Sequence, residues 1–230
     1  MQPISPDEWD AIALSLKVGL WSVAVSLPFG IFFAWLLARR EFFGKSLVNG
    51  LIHLPLVLPP VVVGYALLVL LGRKGLIGEP LYDLLGISVA FKWEGAAIAS
   101  AVMGFPLMVR AIRLSLDTVD RGLEQAARTL GAGPFTVFAT ITVPLITPGI
   151  LTGIILSFAR SLGEFGATIT FVSNIPGETR TLPIALYNFT QIPGGDLQAF
   201  RLAVISIVLA LAALLVSEML ARRVQARLGT

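Results

Sequence analysis

The sequence predicts an all-α integral membrane protein of five transmembrane helices, N-terminus outside and C-terminus inside, with one long cytoplasmic loop. Three observations carry that expectation. First, 56% of the 230 residues are hydrophobic and 13% are charged, with a mean hydropathy of +0.85. An average soluble domain carries about 25% charge, which keeps it dissolved. Second, the apolar residues gather into five runs of spanning or near-spanning length. Third, lysine and arginine fall unevenly on the segments between those runs.

The first run, Val18 to Ala38, is 21 residues without a charge and is followed by Arg39-Arg40. Residues 1–10 hold Asp7, Glu8 and Asp10 and no lysine or arginine. The positive n-region of a cleaved signal is missing, so a retained first helix is expected. The second run spans about Ser46 to Gly72. The third runs from about Gly95 to Val109, with Lys92, Glu94 and Arg110 placed to snorkel. The fourth starts near Val143 and ends about Val172, crossing Arg160 and Glu164; the fifth is Leu202 to Ser217. The third and fifth are short, as suits helices packed among neighbours or in thinned lipid.

With the N-terminus outside, the inner segments hold ten basic residues: Arg39, Arg40, Lys45, Arg110, Arg113, Arg121, Arg128, Arg222, Arg223 and Arg227. The outer segments hold six: Lys17, Arg73, Lys74, Lys92, Arg180 and Arg201. That bias sets the orientation. Segment 181–190 is too short to cross and is expected as a short helix on the outer side. The net charge of +3 and pI near 9.6 therefore read as a topology signal rather than a nucleic-acid signal.

Absent residue types exclude whole classes of chemistry. There is no cysteine and one histidine, His53, so disulfides, thiolate metal sites and sites built on paired imidazoles are ruled out. No set of paired carboxylates or His-based constellation supports a membrane enzyme. A secondary transporter needs coupling-ion sites and usually internal repeats. Glu164 is the one in-span acid, and the P-L-x-x-P echo of Pro55–Pro59 in Pro144–Pro148 is too short to count as a repeat. Prolines nevertheless punctuate four of the five spans, at Pro28, Pro55, Pro59, Pro60, Pro106, Pro144 and Pro148. Each breaks the helical hydrogen-bond ladder, and a bilayer tolerates that where neighbours or a cavity satisfy the freed groups. Bent helices around a pathway fit this better than a simple anchor does.

The cytoplasmic loop, about residues 114–143, is the most informative stretch. Leu116, Val119, Leu123, Ala126, Ala127 and Leu130 recur at helical spacing, predicting a helix over Asp117 to Leu130. Gly131 follows where a helix end favours positive φ, and Pro134 suits the first turn of a second short helix. A small-residue face ending in a glycine turn fits either a groove on another protein or the lipid headgroup layer.

The run Glu124-Gln125-Ala126-Ala127-Arg128-Thr129-Leu130-Gly131-Ala132, with nine residues separating Gly131 from Ile141-Thr142-Val143-Pro144, resembles the EAA loop of ABC-importer permeases. That signature reads E-A-A, three residues, G, nine residues, I-x-L-P. Two positions depart from it. Val143 replaces the leucine, and Gln125 holds the strict glutamate position while Glu124 stands one residue earlier. The stretches LPLVLPPVVVG (54–64), FPLMVRAIR (105–113), ARSLGEFGA (159–167) and NIPGETR (174–180) extend the resemblance over essentially the whole chain, to the molybdate branch of that family. Sulfate permeases share the EAA loop and a related Arg–Gly–Glu stretch, and tungstate is a near-identical dianion; both stay as alternative substrates.

The resemblance implies a single transmembrane domain over 1–230 in the bacterial inner membrane. It implies a homodimer, two copies of a separate ATPase docked below, and a periplasmic oxyanion-binding protein above. Glu124, Gln125, Ala126, Ala127, Arg128, Gly131 and Ala132 would form the ATPase-coupling element. The chain has no G-x-x-x-x-G-K-[ST] loop, so ATP would be used by the partner, and no cofactor, metal or nucleic acid is expected on this chain.

Arg160, Ser161, Gly163 and Glu164 are the pathway or gate candidates. Arg160 and Glu164 are four apart and would share a helix face. Ionisable groups at a span centre cost roughly 2.5–3.5 kcal/mol each unless paired or wet. They fit an anion path, a latch between states, or a buried pair that fixes helix register, and Gly163 and Gly166 between and beside them permit close packing or a break in the helix. Asp196 and Glu178 are candidate outer contacts for a binding protein.

Overall fold

The computed structural model describes residues 4–228, with side chains described to Val216 and at Met219. Ser217, Glu218, Arg222, Arg223 and Arg227, used above to bound the last span and to count inner charge, have side chains outside the described residues. All regular structure described is helical: α1 Pro6–Arg39, α2 Lys45–Val57, α3 Pro60–Leu71, α4 Gly78–Leu85, α5 Trp93–Thr118, α6 Arg121–Thr129, α7 Pro134–Val137, α8 Val143–Leu162, α9 Gly166–Val172, α10 Leu182–Thr190 and α11 Asp196–Leu228. Helices α7 and α8 are joined without interruption by a π-helical turn, Phe138–Thr142, giving one 29-residue helix.

Helix α1 begins on a capping box. Ser5 Oγ accepts the Glu8 N–H and Glu8 Oε2 accepts the Ser5 N–H at 2.7 Å. The Glu8 carboxylate is fully buried and also meets Arg201 of α11 at 2.8 Å, which ties the first and last helices together. Along its length α1 turns a stripe of small residues inward: Ala11, Ser15, Gly19, Ser22, Ser26, Gly30 and Ala34 are all buried. Lipid tails are as apolar as leucine, so helices in a bilayer associate through close backbone approach at such stripes. Phe158 of α8 fits against Gly19, and Met108 of α5 against Gly30. Around this α1–α5–α8 trio the other elements pack.

The chain passes between the two ends of the bundle five times. At one end Ser15 of α1 accepts the Leu182 N–H that starts α10, and Glu178 Oε1 accepts the Trp93 N–H that starts α5. At the other end Arg39 of α1 meets Glu124 of α6. Arg113 of α5 donates to Asn49 of α2 near this second end, whereas Leu68 and Leu71 of α3 pack in the cluster of Trp93 and Val172 at the first. The bent α2–α3 pair therefore links the two ends and counts as one pass. Segment 181–190 is the short helix expected, α10.

Several expectations are corrected. The second span is not continuous: the chain bends by 116° between α2 and α3. Leu58 and Pro59 each precede a proline and both take extended backbone (ψ 144° and 133°), the conformation a following proline ring favours. The third span is not short, since α5 runs 26 residues to Thr118 and takes up the start of the predicted loop helix. Leu116 and Val119 are accordingly buried at the foot of α5 rather than lying on a loop helix. The second loop helix is not separate either; Pro134 opens the same helix that crosses as the fourth span. That span ends at Leu162, and α9 restarts at Gly166.

The two interrupted spans pack their second halves together. At Gly64 of α3 an added Cβ would lie 2.5 Å from the Ala167 carbonyl oxygen and 2.9 Å from Thr170 Cβ, both on α9. Gly64→Ala is thus expected to cost about 1–3 kcal/mol through overpacking, read as a lowered unfolding midpoint in detergent. Gly50→Ala on α2, with nothing within 4 Å, should leave the midpoint unchanged or slightly raise it.

Candidate functional site

Helix α6 stands clear of the bundle. None of its residues is buried, and Leu123 (50% exposed) and Leu130 (89%) present apolar side chains to the outside. Asp120 caps its N-terminus, accepting the Gly122 N–H at 2.8 Å. Its C-terminus closes as a Schellman turn: the Ala132 N–H reaches Ala127 O at 3.1 Å, the Gly131 N–H reaches Arg128 O at 3.0 Å, and Gly131 sits at φ +89°. The positive φ expected at Gly131 and the helix start expected at Pro134 are both present. Gln125, Ala126, Arg128 and Gly131 are exposed; Ala127 and Ala132 are half-buried.

An exposed helix needs something to hold its angle, and Glu124 supplies it. Glu124 Oε1 accepts from Arg39 Nη2 at 3.2 Å and from Thr142 Oγ1 at 2.9 Å. Arg39 also reaches Val119 O, and Arg121 of α6 reaches Ala38 O, each at 3.4 Å. One carboxylate thus joins α6 to the end of α1 and to the π-helical turn at the foot of α8. Of the two residues competing for the motif glutamate, Glu124 is the one fastened into the fold, and Gln125 is the one facing outward. Arg39 and Thr142 were not singled out from the sequence. Thr142 lies inside the quoted Ile141–Pro144 stretch, so its signal was available; Arg39 registered only as a topology charge.

Near the other end of α8, Arg160 and Glu164 do form an ion pair, with Arg160 Nη1 2.5 Å from Glu164 Oε2. They do not share a helix, which corrects the expectation. Helix α8 stops at Leu162, and Glu164 sits in the break before α9. Its other oxygen, Oε1, accepts the Ala167 N–H at 2.8 Å, so the carboxylate occupies the positive N-terminal end of α9. Glu164 is 1% exposed and the Arg160 side chain 27%. Ser161 is buried and Gly163 exposed. Of the four pathway candidates, Arg160 and Gly163 reach a surface while Ser161 and Glu164 face the packed interior. The break also touches the other broken span, because Gly166 lies against Pro60 at the start of α3.

Among the described residues, no group of three His, Cys, Asp or Glu side chains converges as a metal site would require. His53 Nδ1 lies 2.8 Å from Asn49 O within α2. Glu178 spends its carboxylate on the start of α5, and Asp196 opens α11.

Among the described residues the bundle thus has five membrane passes, two of them interrupted and in mutual contact, and one exposed helix braced by a carboxylate. The chain belongs to the family described as binding-protein-dependent transport system inner membrane component, whose signature matches residues 26–226. It is 65% identical over 226 residues to the molybdenum transport system permease protein ModB of Escherichia coli K12, covering 98% of this chain and 99% of that one. It is 60% identical over 222 residues to ModB of Haemophilus influenzae, covering 96% and 97%. Among solved structures, a bacterial ABC transporter that imports the acidic polysaccharide alginate superposes with a TM-score of 0.74 at 18% identity, over 95% of this chain and 80% of that one. At that identity the likeness speaks for the fold.

Proposed function

We propose that this chain is the membrane-spanning subunit of a molybdate importer. Two copies work together, a periplasmic oxyanion-binding protein delivers the substrate, and two copies of a separate subunit hydrolyse ATP. The substrate rests on one observation, the 65% identity over nearly the full length to a protein named for molybdenum transport. The charge bias that places the N-terminus outside puts α6 on the ATP side.

In this reading Glu124 to Ala132 seats in a cleft of the ATPase. Movement of α6 passes through Glu124 to α1 by Arg39 and to α8 by Thr142. Helix α8 is then a lever: from Thr142 to Arg160 is 18 residues, about 27 Å at helical rise. Its far end carries the break where the two interrupted spans meet, and transporters build substrate sites from discontinuous helices. Arg160, partly exposed, is the cation offered to a dianion. Glu164, buried and paired to it, holds it in position and keeps the site from binding the anion tightly. The nucleotide-driven closure shifts a two-state equilibrium of this lever.

The test is reconstitution in liposomes with the ATPase and the binding protein, measuring ATP-dependent uptake of molybdate with sulfate as competitor. Uptake that needs both partners and resists excess sulfate is expected. Uptake without ATP or partners would overturn the importer reading, and strong competition by sulfate would keep the class and move the substrate.

A further inference from the structure

Where α1 ends, two cavities run into one another. One, of about 510 Å³, has an apolar wall that includes Pro28, Ile31 and Phe32 of α1 and Phe138 of the π-helical turn. The other, of about 220 Å³, is ringed by Arg39, Arg40, Arg121 and Arg128 with Glu124. Trp35, Arg40, Glu124 and Arg128 line both, so the two form a single groove, greasy at one end and basic at the other.

We infer that this groove is a binding site for one anionic phospholipid, with the phosphodiester between Arg40 and Arg128 and an acyl chain along α1. The inference rests on the membrane placement of the chain; Arg128 also belongs to the element proposed to seat in the ATPase, so the test keeps the ATPase bound. Length comes first. Pro28 to Arg40 is twelve residues of helix, about 18 Å, close to the roughly 15 Å of one leaflet's hydrocarbon. Charge comes second. Four guanidiniums face one carboxylate, and Glu124 Oε1 already serves Arg39 and Thr142. Neither Arg40 nor Arg128 has a carboxylate partner among the described residues; Arg40 lies 5.4 Å from the Trp35 ring. The nearby acid Glu41 is taken by Lys45 at 2.7 Å, whose hydrogen bond holds that carboxyl below its usual range. Third, Arg40 and Arg128 are both exposed, and an arginine fork matches a phosphate. A free anion would satisfy the basic end and leave the apolar wall open. A lipid satisfies both.

The test uses the assembled importer in nanodiscs holding equal phosphatidylglycerol and phosphatidylcholine, with retained lipid counted by native mass spectrometry. One phosphatidylglycerol per chain is expected to survive delipidation that strips phosphatidylcholine. Arg40 and Arg128 are both exposed, so Arg40→Ala/Arg128→Ala should leave the fold intact and cut that preference about thirtyfold. That is two juxtamembrane cations at about 1 kcal/mol each, converted at 1.4 kcal/mol per decade. Arg40→Lys/Arg128→Lys should retain most of it. Equal retention of both lipids, or retention indifferent to the alanine pair, would overturn the site. Displacement by excess inorganic phosphate would make it a free-anion site instead. Binding seen only after the ATPase is removed, or only in separated copies, would assign the groove to a protein partner.

Discussion

Glu164→Ala is expected to destabilise the chain by about 3 kcal/mol, the low end of the range for breaking a buried pair from one side. The low end applies because Arg160 is 27% exposed and water screens part of its charge. Two groups lose their partner at once. The Arg160 guanidinium keeps its position beside an apolar gap, and the Ala167 N–H at the head of α9 is left without its acceptor. Glu164→Gln can still accept from Ala167 and should lose less. The informative variant is Arg160→Ala/Glu164→Ala. If Glu164 serves to hold Arg160 on the anion path, removing both should recover much of the unfolding midpoint and none of the molybdate uptake. Recovery of both would reduce the pair to a register pin and remove Arg160 from the pathway.

That pair shows how much of the site the sequence disclosed. Spacing of four residues correctly brought Arg160 and Glu164 together, but for the wrong reason. They meet across a helix break, not along a face, because Glu164 caps the next helix. Gly163 and Gly166 flank the break, and of the two outcomes those glycines allow, close packing or a break, the structure has the break. The second span failed in the same way. Hydropathy runs unbroken through Leu58-Pro59-Pro60, since proline between leucines and valines barely lowers it, while backbone sterics disfavour helix at the two consecutive residues preceding those rings. Hydropathy reports what can sit in lipid; it says nothing about whether the backbone stays straight there.

The fold class and the glycine turn after α6 were legible because each rests on local rules. Apolar run length and charge bias give the passes, and the Gly131 and Pro134 expectations rest on helix-end stereochemistry that no tertiary contact overrides. The α1 stripe from Ala11 to Ala34 was equally local, small residues at three- and four-residue spacing. It is hidden to a hydrophobicity reading because alanine, serine and glycine score as neutral. What no single sequence carries is the partner of Glu124. Arg39 lies 85 residues away, and the pairing exists only once α1 and α6 end at the same side of the bundle.

Gly131→Trp is expected to abolish ATP-driven uptake while leaving the chain folded. An added side chain at Gly131 meets nothing within 4 Å, so the bundle has no reason to reject it. The backbone does object. At φ +89° an L-residue costs about 1–2 kcal/mol, which loosens the Schellman turn, and the indole projects from the surface proposed to enter the ATPase. Loss of the ATPase from the purified complex, with an unchanged unfolding midpoint for the spans, would locate the defect in docking. Gly131→Asn, which visits left-handed backbone at lower cost, should keep most of the activity. Glu124→Ala separates docking from transmission. It leaves the exposed face of α6 intact but frees Arg39 and Thr142, so the ATPase should stay bound and hydrolyse ATP while molybdate uptake falls at least tenfold, about 1.4 kcal/mol of lost coupling. If Glu124→Ala instead sheds the ATPase as Gly131→Trp does, the carboxylate belongs to the docking surface and α1 and α8 receive the stroke by another route.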